Sequence, residues 1–141
     1  MRFMILVKAN ADSEAGVLPS EQALLEMGRF NEELIKTGVM LAGDGLHPSA
    51  KGARLRFGPS GTMQVIDGPF AETKELIAGY WIIEARSKEE AIERFRNCPA
   101  SVGELELRQL FDAADFEPAV STDEGRALLR TEEEFRNRPA A

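Results

Sequence analysis

The sequence predicts an α+β fold: a ferredoxin-like antiparallel sheet carrying two helices, with an added hairpin and a C-terminal helical extension. Three observations lead there. Hydrophobic periodicity gives the element order β-α-β-β-β-β-α-β followed by a helical tail. A strand–helix–strand unit, an antiparallel insertion and a second helix and strand make up the ferredoxin-like plan. Finally, the strands at Phe3–Val7 and Ile77–Ala85 are apolar on both faces, whereas two helices cover only one face of such a sheet. A second copy packed with two-fold symmetry is the economical cover for the other face, so a homodimer is expected.

Taken in order, Phe3 to Val7 is apolar at every position and reads as a buried strand. A polar loop, Asn10 to Gly16, leads to Ser20, the N-cap of a helix running to about Thr37. Ala23, Leu24, Met27, Phe30, Leu34 and Ile35 fall on one arc of that helix, and Gly38 ends it. Val39 to Ala42 is a short strand entering the turn-rich loop Gly43-Asp44-Gly45-Leu46-His47-Pro48. Ala53–Phe57 and Thr62–Ile66 alternate around Gly58-Pro59-Ser60-Gly61 and form a hairpin. Asp67-Gly68-Pro69-Phe70 turns the chain toward the long Ile77–Ala85 strand.

Ser87-Lys88-Glu89-Glu90 is a capping box that opens the second helix, whose stripe is Ala91, Ile92 and Phe95 and whose end is marked by Pro99. Glu104–Arg108 alternates as the last strand. Beyond Phe111 the chain turns acidic, with eight Asp/Glu against four Arg between Asp112 and Ala141, and a helix is expected from about Thr122 to Asn137. The domain division is therefore 1–111 for the main domain and 112–141 for the extension.

The 141 residues suit a chain with a real core and no covalent staples. A net charge of −7 disfavours nonspecific binding to nucleic acid or anionic membrane. One cysteine and one histidine exclude an intrachain disulfide, a multi-histidine metal site and a thiolate zinc site within one chain. No phosphate loop or dinucleotide fingerprint is present, and no cofactor is expected. The N-terminal apolar run lacks a cleavage pattern and no stretch approaches the roughly 20 apolar residues of a membrane span, so a cytoplasmic location is expected.

The residues that could carry chemistry are few. Asp67 is the first candidate, a general base tuned by burial beside Pro69, Phe70 and Trp81. The alternative is a turn in which Asp67 accepts local amides, Gly68 supplies unusual dihedrals and Pro69 fixes the exit. His47 is the one side chain whose unperturbed pKa suits proton exchange near neutrality, and Asp67 could orient it. Its alternative is an ordinary loop histidine. Arg54, Arg56 and Lys74 are candidates for binding a carboxylate or phosphate, or else they are solvating charges. Trp81 is a candidate ligand platform, or else core or dimer contact, and Cys98 reads as an inert buried thiol.

The run Val65-Ile66-Asp67-Gly68-Pro69-Phe70-Ala71-Glu72-Thr73-Lys74-Glu75 resembles the signature of the DGPF-domain proteins, a branch of the YciI-like (YCII-related) families. Ala78-Gly79-Tyr80-Trp81-Ile82-Ile83, the Gly43–Pro48 loop and Met4–Val7 are similar to flanking parts of the same pattern, which covers Met1 to about Phe111. The resemblance implies a dimeric α+β barrel. Related YciI-like proteins hold a His/Asp pair in a cleft, which implies an enzyme; the function expected here is a small-molecule site in the dimer cleft, with cofactor-independent acid/base chemistry through Asp67 and His47. Many DGPF proteins are encoded near extracytoplasmic-function sigma factors, which implies the alternative of a non-catalytic ligand-binding or regulatory module with a sigma-factor partner. A heme or oxygen-using monooxygenase is a third reading, drawn from fold analogy.

Overall fold

In a computed structural model, which describes residues 1–71 and 73–139, the chain divides into two compact units, Met1–Gln109 and Leu110–Ala141. The first unit holds strands β1 (Arg2–Lys8), β2 (Met40–Gly45), β5 (Ile77–Glu84) and β6 (Leu105–Gln109) in one antiparallel sheet of order β2-β5-β1-β6. That is the ferredoxin-like order once β3 (Ala53–Phe57) and β4 (Met63–Asp67) are recognised as an inserted hairpin between β2 and β5. The α+β fold is therefore the one the pattern dictates.

Pairing register explains why one sheet face is the core. Phe3 lies opposite Ile83 and Ile5 opposite both Trp81 and Leu107, so the alternate residues of three strands converge. Helix α2 (Glu21–Lys36) adds Leu34, Met27 and Phe30, and α3 (Lys88–Arg94) adds Ala91 with Phe95 just beyond it. Phe30, Trp81 and Phe95 meet edge to face at centroid distances of 5.1 to 6.1 Å. The Trp81 indole N–H donates to Asn31 Oδ1 at 2.9 Å, which satisfies the only polar atom of that ring. Trp81 belongs to this core rather than to a ligand platform.

The opposite face carries Met4, Leu6, Tyr80 and Ile82, all half-buried. Across it, Asp44, Tyr80, Leu6 and Glu106 form one row, and Ala42, Ile82, Met4 and Arg108 the next. The Tyr80 hydroxyl donates to Asp44 Oδ2 at 3.1 Å, and that carboxylate raises the phenol above its ordinary pKa, so Tyr80 stays a donor.

Several local expectations need correction. Asn10–Gly16 is not all loop: α1 (Ala11–Glu14) forms there because Asn10 and Ser13 cap each other reciprocally. The apolar arc of α2 is narrower than its periodicity suggests, since Leu24 and Ile35 point outward and are exposed. Ser87 caps α3 by accepting from the Glu90 amide, but Glu90 returns its bond to the Arg86 N–H and guanidinium instead of to Ser87. Ser60 and Gly61, with φ of 62° and 73°, make the left-handed turn of the β3–β4 hairpin.

The second unit contains α4 (Ala113–Phe116) and α5 (Asp123–Arg136). Asp112 and Asp115 cap α4 reciprocally, and Phe111 and Phe116 stack at 4.8 Å. Thr122 caps α5 by accepting from the Gly125 amide at 3.0 Å. Among the described residues no helix is long and apolar enough to cross a membrane.

Ile83 is fully buried in a central strand, so Ile83→Ala is expected to cost about 2–5 kcal/mol in urea unfolding. Ile35→Ala, on the outer side of α2, is expected to change stability by no more than about 0.5 kcal/mol.

Candidate functional site

A cavity of about 430 Å³ opens in the first unit where three parts of the chain meet: the end of α1, the loop after β2, and Phe70 with Glu75, Leu76 and Ile77. Leu46, Pro48, Phe70, Leu76 and Ile77 give it apolar walls. Glu14, His47, Ser49, Lys51 and Glu75 supply its polar groups. Backbone bonds hold the segments in place. The Leu46 amide donates to the Ala78 carbonyl at 2.8 Å, continuing the β2–β5 ladder, and the Ala9 amide donates to the Leu76 carbonyl at 2.9 Å.

Ser49 joins all three segments. Its hydroxyl donates to Glu14 Oε2 at 2.5 Å and its backbone N–H donates to Glu14 Oε1 at 3.1 Å. The same hydroxyl oxygen accepts from the Phe70 amide at 3.0 Å. A serine hydroxyl has one hydrogen to give, and here it goes to Glu14. Both Glu14 oxygens are thereby engaged, so this carboxylate holds the wall rather than offering itself to a ligand.

The Asp67-Gly68-Pro69-Phe70 turn acquires a steric meaning from this contact. A Cβ built on Gly68 would lie 1.8 Å from the Ser49 carbonyl oxygen, so only glycine lets the two backbones approach. The expectation that Gly68 supplies unusual dihedrals is corrected: its φ is not positive, and close packing is what demands glycine. The Gly68 amide also donates to the Gly52 carbonyl at 3.0 Å, and the Gly68–Pro69 peptide is cis. Beyond the turn, the Arg54 guanidinium lies 4.1 Å from the Phe70 ring centroid, a cation–π contact that steadies the wall.

The candidate residues of the sequence separate clearly. His47 lines the cavity and is exposed. Asp67 closes β4 opposite Ala53, exposed and not among the lining residues. Among the described residues no hydrogen bond joins His47 to Asp67. Arg54 reaches the cavity only through Phe70, while Arg56 pairs in register with Gln64 on the exposed hairpin. Lys74 is exposed on the turn before the lining residues Glu75 and Leu76, and Trp81 is in the core.

Sequence reasoning missed Glu14, Ser49, Lys51 and Glu75. Glu14 and Ser49 are 35 positions apart, and only the reciprocal cap at Asn10 and Ser13 signalled that the first loop was ordered. Among the described residues no group of three or more His, Cys, Asp or Glu side chains could hold a metal ion. Chemically the cavity offers an imidazole for proton exchange, an ammonium at Lys51 and a carboxylate at Glu75, against a largely apolar surface.

Ser49→Ala removes the bond to Glu14 and leaves the Phe70 amide unpaired, an expected loss of about 1–3 kcal/mol in chemical denaturation. Ser49→Thr keeps the hydroxyl and should recover most of that loss. Away from the cavity, burial pushes the Cys98 thiol up to about 11. Its alkylation by iodoacetamide at pH 8 should accordingly run about two orders of magnitude slower than that of free cysteine.

Comparison with known proteins places these features. The uncharacterized protein R00369 of Rhizobium meliloti (strain 1021) is 32% identical over 93 residues, spanning 64% of this chain and 74% of that protein. Among solved structures, 5-chloro-2-hydroxyhydroquinone dehydrochlorinase (TftG) from Burkholderia phenoliruptrix AC1100, in complex with 2,5-dihydroxybenzoquinone, is similar at a TM-score of 0.45 and 16% identity. That likeness covers 79% of this chain and 95% of that one, and is too distant to inform the chemistry. The YCII-related domain matches residues 1–114, which include both strands of the hairpin and every residue lining the cavity, and the chain belongs to that family.

Proposed function

We propose that this protein is a homodimer that binds a small organic acid or ketone in the cavity and exchanges a proton with it through His47, without a cofactor. The observation that carries the reading is the placement of His47 in an apolar-walled cavity beside Lys51, whose ammonium suits a carboxylate or a developing enolate. Lys51 takes over the anion-anchoring part that the sequence suggested for Arg54, Arg56 and Lys74. Asp67, one residue before the Gly68–Ser49 contact, is proposed as the second acid/base group. Support for the homodimer comes from the apolar centre of the second sheet face, Met4, Leu6, Tyr80 and Ile82.

A second reading, a ligand-binding module without turnover, is favoured by one feature. Among the described residues His47 has no hydrogen-bond partner to fix its tautomer, unlike the oriented imidazoles of acid/base enzymes. The sigma-factor partner implied by the resemblance has no support in the fold or in the relatives.

Exchange of α-hydrogens from a panel of small ketones and 2-oxo acids into D2O, followed by proton NMR, separates the readings. A proton-transfer enzyme should replace the α-hydrogens of at least one substrate with deuterium, erasing their proton signal, and His47→Ala and Asp67→Asn should each slow that exchange by about 10²–10⁴-fold. Binding detected without any exchange would establish the second reading instead. Exchange unchanged in Asp67→Asn would remove that carboxylate from the mechanism.

A further inference from the structure

Two charges in the cavity have no use in the fold. Lys51 ends the helical turn Ser49–Lys51 after β2, and Glu75 ends the turn Thr73–Glu75 before β5. Both line the cavity and both are exposed. Among the described residues neither side chain enters a hydrogen bond or an ion pair, with the other or with any further group. The backbones beneath them are nonetheless fixed. The Lys51 amide donates to the Pro48 carbonyl at 3.0 Å, and the Gly52 amide to the Ser49 carbonyl at 2.9 Å. On the other side the Leu76 amide donates to the Thr73 carbonyl at 3.1 Å, and the Leu76 carbonyl accepts from Ala9. An ammonium and a carboxylate thus stand on separate, ordered segments around one space.

The charge balance of that space selects its occupant. Glu14 is engaged by Ser49 through both carboxylate oxygens. His47 aside, a ligand therefore meets one fixed cation and one fixed anion. A simple organic anion is attracted at Lys51 and repelled at Glu75, and a dicarboxylate meets that repulsion with its second charge. A molecule with a carboxylate at one end and an ammonium at the other is attracted at both. The apolar lining from Leu46, Pro48, Phe70, Leu76 and Ile77 suits a hydrocarbon link between the two ends.

We infer that the ligand of the cavity is zwitterionic: a short-chain organic acid or keto acid carrying a protonated amino group, with its carboxylate at Lys51 and its ammonium at Glu75. This rests on the small-molecule site proposed above and narrows its ligand class. Glu75 is then the specificity residue that separates amino-substituted acids from plain carboxylic acids. Holding both ends also fixes which carbon of the chain is presented to His47, a register that one anchor leaves free.

Amide NMR of the isotope-labelled full chain at neutral pH tests the inference. The protein is titrated with straight-chain ω-amino acids of about three to eight carbons, and with the fatty acids in which a methyl group replaces each ammonium. At one or more chain lengths the amino acid should bind about three- to fivefold tighter than its isostere, shifting the amides of Leu46 to Gly52 and of Leu76. Glu75→Gln should erase that preference while keeping fatty-acid binding and the native circular dichroism. Glu75→Lys should redirect it toward the dicarboxylic acid of matching length, an outcome that a merely structural glutamate would not produce. Lys51→Met should weaken both series. Fatty acids that bind in the cavity at least as tightly as the amino acids at every length, or a preference untouched by Glu75→Gln, would overturn the zwitterionic ligand and leave the small-molecule site standing. No saturable shift of the cavity amides with either series would overturn the inference together with the reading it rests on.

Discussion

The site depends on one close approach, that of the Gly68 backbone to the Ser49 carbonyl. Because no side chain fits between them, the turn after β4 can press against the helical turn at Ser49–Lys51. That contact brings the Phe70 amide within reach of the Ser49 hydroxyl, and the hydroxyl in turn is held by Glu14. Three segments distant in sequence are locked by one serine, and the cavity is the space they enclose. The stretch Asp67–Phe70 is therefore first a device for building a wall, whatever chemistry the cavity performs.

The sheet supplies the rigid base for this wall. The ladder between β2 and β5 extends past β2 to Leu46, so the loop carrying His47 leaves a strand anchored in the core. The opposite rim follows from β5 itself, whose first residue, Ile77, lines the cavity while Trp81 and Ile83 pack into the core further along. Sites built at strand ends in this way inherit the precision of the sheet. The inserted hairpin is the contrasting part: it branches off between the two walls and buries almost nothing of its own.

Much of this was legible in the sequence. Strand alternation, the cap at Ser20 and the hairpin turn at Gly58–Gly61 are local signals, and each appears where the residues place it. The ferredoxin-like order follows because short-range pairing and two helices leave few topologies open. The cavity was legible only at His47 and Phe70. Glu14 and Ser49 are joined by a tertiary hydrogen bond with no periodic signature, and no motif around Lys51 marks it as a lining residue. Arg54 was read as an anion anchor because charge is visible in sequence, whereas its stacking on Phe70 depends on hairpin geometry. Trp81 was ambiguous for a similar reason: alternation assigns its face, but only the packing of α2 shows that the face is covered.

The most direct measurement of the central claim is amide mapping by NMR during titration of isotope-labelled protein with a bound organic acid or ketone. A ligand in this cavity should shift the amides of Leu46 to Gly52 together with Phe70, Leu76 and Ile77, and should leave those of α5 unmoved. Saturable binding whose shifts fall elsewhere, with the Ser49 and Phe70 amides undisturbed, would contradict the account.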